Sequence, residues 1–299
     1  MSRRARALPV LMYHHVSTSP SMITVAPQHF AAQMAYLASA GYRTIGAAQL
    51  AAFMRGEDVP EKSLVITFDD GYLDNWVHAH PVLQRHGFTA LCFLVSSWPG
   101  AGDVRPHAAN ATPDALPPLL DHHAGERAIE AGRTDDVALR WSEIDAMRAA
   151  GTFEFHSHTH THVRWDQVMT SREQKRACLK DDLSASRETL AQRLGEVSDH
   201  LCWPQGYYDD DYREVARDAG FRHFYTCHVG TNARASLKAQ ANERSINRLE
   251  VRDRPASWLA SRLWVHSRPT LSRAYLRHQA LREKCGNGIV HRIGCIAMR

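Results

Sequence analysis

Long apolar runs are missing from this chain. None of its 299 residues falls in a stretch approaching the roughly eighteen uninterrupted apolar positions of a spanning helix, so that class is excluded. Paired cysteine spacing is missing too. Cys92, Cys178, Cys202, Cys227, Cys285 and Cys295 stand apart, with no Cys-x-x-Cys, and read as buried or free thiols of a reducing compartment. Charge of one sign is scarce: the formal net charge is +4, and no base-reading motif or aromatic platform in a basic groove is evident, which argues against nucleic acid as a partner. The amino terminus is basic, but residues 8–12 are too few for a signal-peptide core, so the chain reads as unexported and cytoplasmic.

What the chain has is alternation. With 44% hydrophobic residues it can bury a sizeable core, and one barrel-sized domain suffices. Strands are expected at 10–13, 64–68, 90–95, 152–155, 200–203, 223–227 and 246–251. Helices are expected at 27–40, opened by Pro27, and at 76–86, closed by Gly87. Two more fall at 173–194, with Leu179, Leu183 and Leu190 as an inward stripe, and at 209–219 before Gly220. This order predicts an α/β fold, a distorted (β/α) barrel of about seven mostly parallel strands.

Residues 98–136 interrupt the pattern with Pro99, Pro106, Pro113, Pro117 and Pro118, and read as an insertion forming a partly ordered lid. His122 and His123 within it are expected to be solvated. The catalytic domain then covers 8–266. In the remaining 267–299 tail, Arg268, Arg273, Arg277, Arg282, Lys284, Arg292 and Arg299 face only Glu283. Such a helical tail suits an anionic surface, membrane phospholipid or a phosphate-bearing glycan, or is simply solvated.

Two motifs carry chemistry. Thr67-Phe68-Asp69-Asp70-Gly71 follows the apolar run Leu64-Val65-Ile66, which delivers two carboxylates to a strand end where a glycine permits a sharp turn. Side chains alternate there, so one aspartate can bind a metal while the other faces a water. About ninety residues on comes His156-Ser157-His158-Thr159-His160-Thr161-His162, in which histidines four apart would share one face of a helical turn and grip one ion. Either motif alone reads as a turn or a solvated loop. Together they point to a divalent metal, Zn2+ first, with Ni2+ or Co2+ as alternatives.

These residues resemble the polysaccharide deacetylase family with the NodB homology domain, carbohydrate esterase family four. The resemblance implies Asp69 as catalytic base, and Asp70, His158 and His162 as metal ligands; the shifted pair His156 and His160 has the same spacing. Leu11-Met12-Tyr13-His14-His15 resembles the opening of the circularly permuted branch, that of poly-N-acetylglucosamine deacetylases, which nominates His14 as general acid with His15 as fallback. Residues 201–206, Leu-Cys-Trp-Pro-Gln-Gly, match the family's third motif, but Cys202 stands where that motif often has an arginine. Arg248 is the candidate replacement. No Leu-x-His counterpart is evident downstream, since His266 falls in a helical segment. The backbone N–H of Tyr72 is the expected oxyanion donor, and Trp203, Pro204 and Tyr207 are expected to line the substrate, although Trp203 and Tyr207 suit a core equally well.

The implied activity is metal-dependent removal of acetyl from an N-acetylated amino sugar of a surface glycan or lipopolysaccharide precursor, whether nucleotide-linked, lipid-linked or an oligosaccharide. A deformylase or other non-peptide amide hydrolase is the alternative within enzymes. An inactive glycan-binding protein is the alternative outside them.

Overall fold

The computed structural model describes residues 4–196, 198–234 and 244–286. Six strands lie parallel in chain order: β1 (Val10–Tyr13), β2 (Ser63–Asp70), β3 (Ala90–Leu94), β4 (Phe153–Ser157), β5 (His200–Cys202) and β6 (His223–Tyr225). Helices cover their outer faces, which is why the strands read as near-continuous apolar runs rather than as alternation. Leu11, Ile66, Phe68 and Cys92 pack outward with Phe30, Met34 and Leu37 of α1 (Pro27–Ser39). Val10, Val65, Leu91 and Phe93 pack inward and meet Leu50, Phe53 and Met54 of α2 (Ala47–Arg55).

The expected strand at 246–251 is two. Residues Arg244–Ile246 (β7) pair with β6, and Leu249–Glu250 (β8) pair with β1. One short segment thus bonds both edges of the sheet and closes the barrel, changing partner at Asn247 and Arg248. A single unbroken strand could not do so, because each edge offers its hydrogen bonds in its own direction.

The expected helix at 76–86 opens with a wide π turn, Asn75–Ala79, before α3 (His80–His86). The 98–136 insertion carries α4 (His122–Glu130) and buries Trp98 and Ala128 beside Tyr72 and Val95. Arg105 fastens it: its guanidinium donates to both oxygens of the fully buried Glu143 at 2.7 Å, and to the carbonyls of Asp135 and Ala138 at 2.7 and 2.8 Å. Glu143 sits on α5 (Trp141–Ala149), so insertion and barrel share one ion pair. His123 is exposed, but His122 is not solvated as expected; only 11% of its side chain is exposed, against His15.

Long α6 (Arg172–Leu194) buries Leu179, Leu183 and Leu190 as expected, and α7 (Asp210–Asp218) packs beside it. The chain continues through α8 (Ala256–His266) and α9 (Pro269–Gly286), joined where His266 Nδ1 meets Ser272 Oγ at 2.9 Å. Arg292 and Arg299 lie outside the described residues. Among the described residues no helix is long and apolar enough to cross a membrane.

Candidate metal centre and active site

The carboxyl end of β2 turns through two consecutive left-handed residues, Asp70 (φ 71°) and Gly71 (φ 77°). Glycine is required at 71, because a Cβ there would stand 2.5 Å from a methyl of Leu94. Asp70 holds that conformation without being glycine, as do Thr159 (φ 65°) and His162 (φ 63°) across the site. Backbone strain thus gathers around one point, a pattern common where geometry serves chemistry.

His158 and His162 do not share a helical face. They follow β4 in an open loop, and the left-handed turns at Thr159 and His162 bring the two rings to 4.9 Å of each other. Asp182 of α6 holds the loop, its carboxylate accepting from the backbone N–H groups of His160 and Thr161 at 3.0 and 2.9 Å and from Trp165 Nε1 at 3.0 Å. Ser157 and Thr159 complete it: Thr159 N–H donates to Ser157 Oγ, and His162 N–H to Thr159 Oγ1, each at 3.1 Å.

Donor atoms of Asp70, His158 and His162 converge within 4.8 Å of one another. Asp70 Oδ1 lies 3.2 Å from His158 Nε2 and 3.4 Å from His162 Nε2, yet it is buried and has no hydrogen-bond donor. A buried carboxylate oxygen facing two imidazole nitrogens fits a cation between them. His158 Nδ1 lies 2.9 Å from the Cys202 carbonyl, which can only accept, so the ring's hydrogen is on that side and its Nε2 lone pair faces Asp70. Burial works to raise the Asp70 pKa, but the flanking His158 and His162 imidazoles prevail and hold it well below the carboxylate range.

Asp69 points elsewhere. Arg248 donates from Nη1 to Oδ1 at 2.6 Å and from Nη2 to Oδ2 at 2.8 Å, and its side chain has no exposed surface. Burial raises the Asp69 pKa; the Arg248 and His14 charges overcome that and keep it low. Cys202, in the place of the motif arginine, fills the space beneath, its Sγ 3.1 Å from Arg248 Nη2. The guanidinium arrives instead from the seam that closes the barrel.

His14 Nε2 stands 3.7 Å from Asp69 Oδ2 at the carboxyl end of β1, and burial lowers its pKa against the pull of the two carboxylates. His15 faces away, bonded to Asp74 Oδ2 at 2.6 Å and to His122 at 3.3 Å, and stacked on Tyr72 at 3.8 Å. Tyr72 is buried, and burial first, then the Asp70 carboxylate, keep its phenol protonated. Its backbone bridges Ala138 through the flanking residues, leaving the Tyr72 N–H directed away from that bridge.

Several expected residues sit elsewhere. Trp203, 1% exposed, is a core residue stacked on Phe224 at 5.4 Å, which corrects its expected place on a sugar ring. Pro204 is buried beside it, and Tyr207 is half-buried with the Arg164 guanidinium 3.8 Å over its ring, so that face is taken. The shifted histidine pair is no pair. His160 Nδ1 bonds Ser96 Oγ at 2.9 Å, and His156 Nδ1 bonds Ser198 Oγ at 2.7 Å. His266 is buried against α9. Asp182 and Asp74 were not legible as site residues, since nothing in their local sequence marks them.

The family model for polysaccharide deacetylase matches residues 56–224, more than half of the chain. This chain belongs to the polysaccharide deacetylase family. Among the deacetylase's curated relatives, YxkH of Bacillus subtilis is 23% identical over 228 residues, 76% of this chain and 67% of that protein. The poly-β-1,6-N-acetyl-D-glucosamine N-deacetylase of Escherichia coli K12 is 39% identical over 67 residues, 22% of this chain but only 10% of that protein. In fold the deacetylase is similar to IcaB from Ammonifex degensii (TM-score 0.65, 22% identity, 88% of this chain and 99% of that one). It is also similar to the deacetylase PplD of Streptococcus pyogenes (TM-score 0.64, 18% identity, 87% and 98%). The matched span leaves out β1 with His14 and the closing segment with Arg248.

Proposed function

We propose that this deacetylase removes acetyl from an N-acetylated amino sugar, in a glycan or glycan precursor met in the cytoplasm, with a divalent cation held by Asp70, His158 and His162. The observation that carries this reading is Asp70 Oδ1, buried, without a donor, and faced by two imidazole nitrogens. The E. coli relative, named for a poly-N-acetylglucosamine substrate, favours an amino sugar over other amides. When bound, the cation, Zn2+ by the preference of a two-imidazole, one-carboxylate set, supplies Lewis acidity to water and to the amide carbonyl.

The chain's own groups do the rest. Asp69, kept ionised by Arg248, takes the proton of the attacking water. The negative charge growing on the carbonyl oxygen meets the Tyr72 N–H. His14, across from Asp69, gives a proton to the departing amine.

Release of acetate from N-acetylglucosamine oligomers, alongside metal analysis, tests the assignment. Asp69→Asn should abolish turnover and keep the metal, whereas Asp70→Asn should lose both. An Asp69→Asn protein without metal beside an Asp70→Asn protein that keeps it would invert the two roles.

A further inference from the structure

The barrel has a second mouth. His200 and His223 open β5 and β6, whereas Asp70 and His158 lie at or beyond the other ends of their strands. A cavity of about 1010 Å³ opens here under α2, and His156, Asp199, His200 and His223 line one side of it. None of these four has a part in the deacetylation derived above.

The donor atoms of Asp199, His200 and His223 lie within 4.8 Å of one another. Asp199 Oδ1 is 3.5 Å from His200 Nε2, and Oδ2 is 3.7 Å from His223 Nε2. Those separations are long for hydrogen bonds but suit ligands that each stand about 2 Å from a shared ion. His200 Nδ1 is engaged by the Tyr225 hydroxyl at 2.9 Å, leaving Nε2 as the nitrogen turned to Asp199. The rings of His200 and His223 lie 4.4 Å apart, and that of His156 stands 5.1 Å from His200.

A second observation is independent of this triad. His156 is 6% exposed, and its Nε2 is buried with no hydrogen-bond partner within bonding distance, the Glu154 carboxylate of the same cavity standing 3.7 Å from it, while Nδ1 is fixed by Ser198. A buried imidazole nitrogen without a partner costs free energy unless something fills the place.

We propose that Asp199, His200 and His223, with His156 beside them, form a second site for a divalent cation of the Zn2+ class, at the opposite mouth of the barrel from the catalytic centre. It ties the starts of β5 and β6 to the loop leading into β5, so its role is structural rather than catalytic. The remaining cavity keeps the site open to solvent and to metal exchange.

Metal counting on the full chain tests this. Chelator-stripped protein is titrated with Zn2+, and separately with Co2+, whose visible absorption reports low-coordinate nitrogen and oxygen ligation. Wild type should take two equivalents, Asp70→Asn one, His223→Gln one, and the double variant none. His223→Gln should keep acetate release within about twofold yet lose the rise in thermal midpoint that the second equivalent gives. Asp70→Asn leaves the second mouth untouched, so it answers even if His223→Gln folds poorly. An Asp70→Asn protein that binds no Zn2+, or a double variant that still binds one equivalent, overturns the proposal. A wild type whose single equivalent is lost in His223→Gln and kept in Asp70→Asn would overturn the catalytic assignment instead.

Discussion

Arg248 reaches Asp69 from 179 residues further along the chain, and the pair is buried on both sides. A guanidinium that far away in sequence cannot be found from a local motif; what marked it was only the missing arginine at Cys202. Breaking a buried pair from one side strands the other charge, at about 3–5 kcal/mol. Arg248→Met should therefore lower the urea midpoint and, because Arg248 holds the Asp69 pKa down, move the acid limb of kcat/KM to higher pH. Arg248→Lys should fall between, with one point charge in place of a two-pronged donor. An acid limb that stays put in Arg248→Met would show that Asp69 is not the group that titrates.

His14 permits a separate test at the same scale. His14→Ala should lower kcat on an acetamide by roughly 10²–10⁴, the usual scale for a lost general acid. Metal content should hold, and the loss should shrink on an aryl acetate ester, whose leaving group needs no proton. Equal impairment on both substrates would mean that His14 shapes the site instead. Spacing marked the histidine cluster but left two frames open, and only the family resemblance chose His158 and His162; their conformation was not legible either, since a four-residue interval suggests a helix, and Asp182 on α6 and the left-handed turns at Thr159 and His162 make a loop of it.

At the scale of elements, the six strands that carry the site were legible within a residue or two, since each is a buried run ended by turn residues. The insertion was not, because its order comes from tertiary anchors. Trp76 Nε1 donates to the Arg105 carbonyl at 2.6 Å, and His107 packs edge-on to both Trp76 and His80. His80 is the titratable part of that joint. Its Nδ1 lies 2.8 Å from Thr152 Oγ1, whose own hydrogen goes to the Met147 carbonyl, so His80 Nδ1 donates. Burial lowers its pKa to about 4 from an ordinary value of 6.5. The sign follows: a folded-state value below the unfolded one gives stability fully present above pH 6.5 and lost as pH falls toward 4. His266, also lowered to about 4, adds to the same window. Urea midpoints followed by tryptophan fluorescence should drop between pH 7 and 5, and drop less in His80→Phe. Parallel losses in the two proteins would remove His80 from the account.

For the whole molecule, the barrel class was legible from strand and helix alternation, while its closure was not, because a strand that changes partner mid-course reads in sequence as one strand. The last described helix, α9, shows a similar division. It is docked, not loose, with Ser272 buried against His266, yet Arg273, Arg277 and Arg282 are exposed on it, as is Arg268 just before it. Trp264 of α8 and Leu281 of α9 are exposed alongside, at 55% and 61%. Cations interleaved with exposed apolar side chains suit an anionic bilayer surface, where each arginine contributes about 1 kcal/mol. The full chain is thus expected to sediment with phosphatidylglycerol-containing vesicles at low salt and to be released as ionic strength rises, because that attraction is screened. Arg273→Glu/Arg277→Glu should cut the bound fraction at least about tenfold while leaving acetate release from a soluble oligomer unchanged, since neither arginine reaches the site. Wild type that stays in the supernatant at low salt would make the helix a solvated brace for α8 and nothing more.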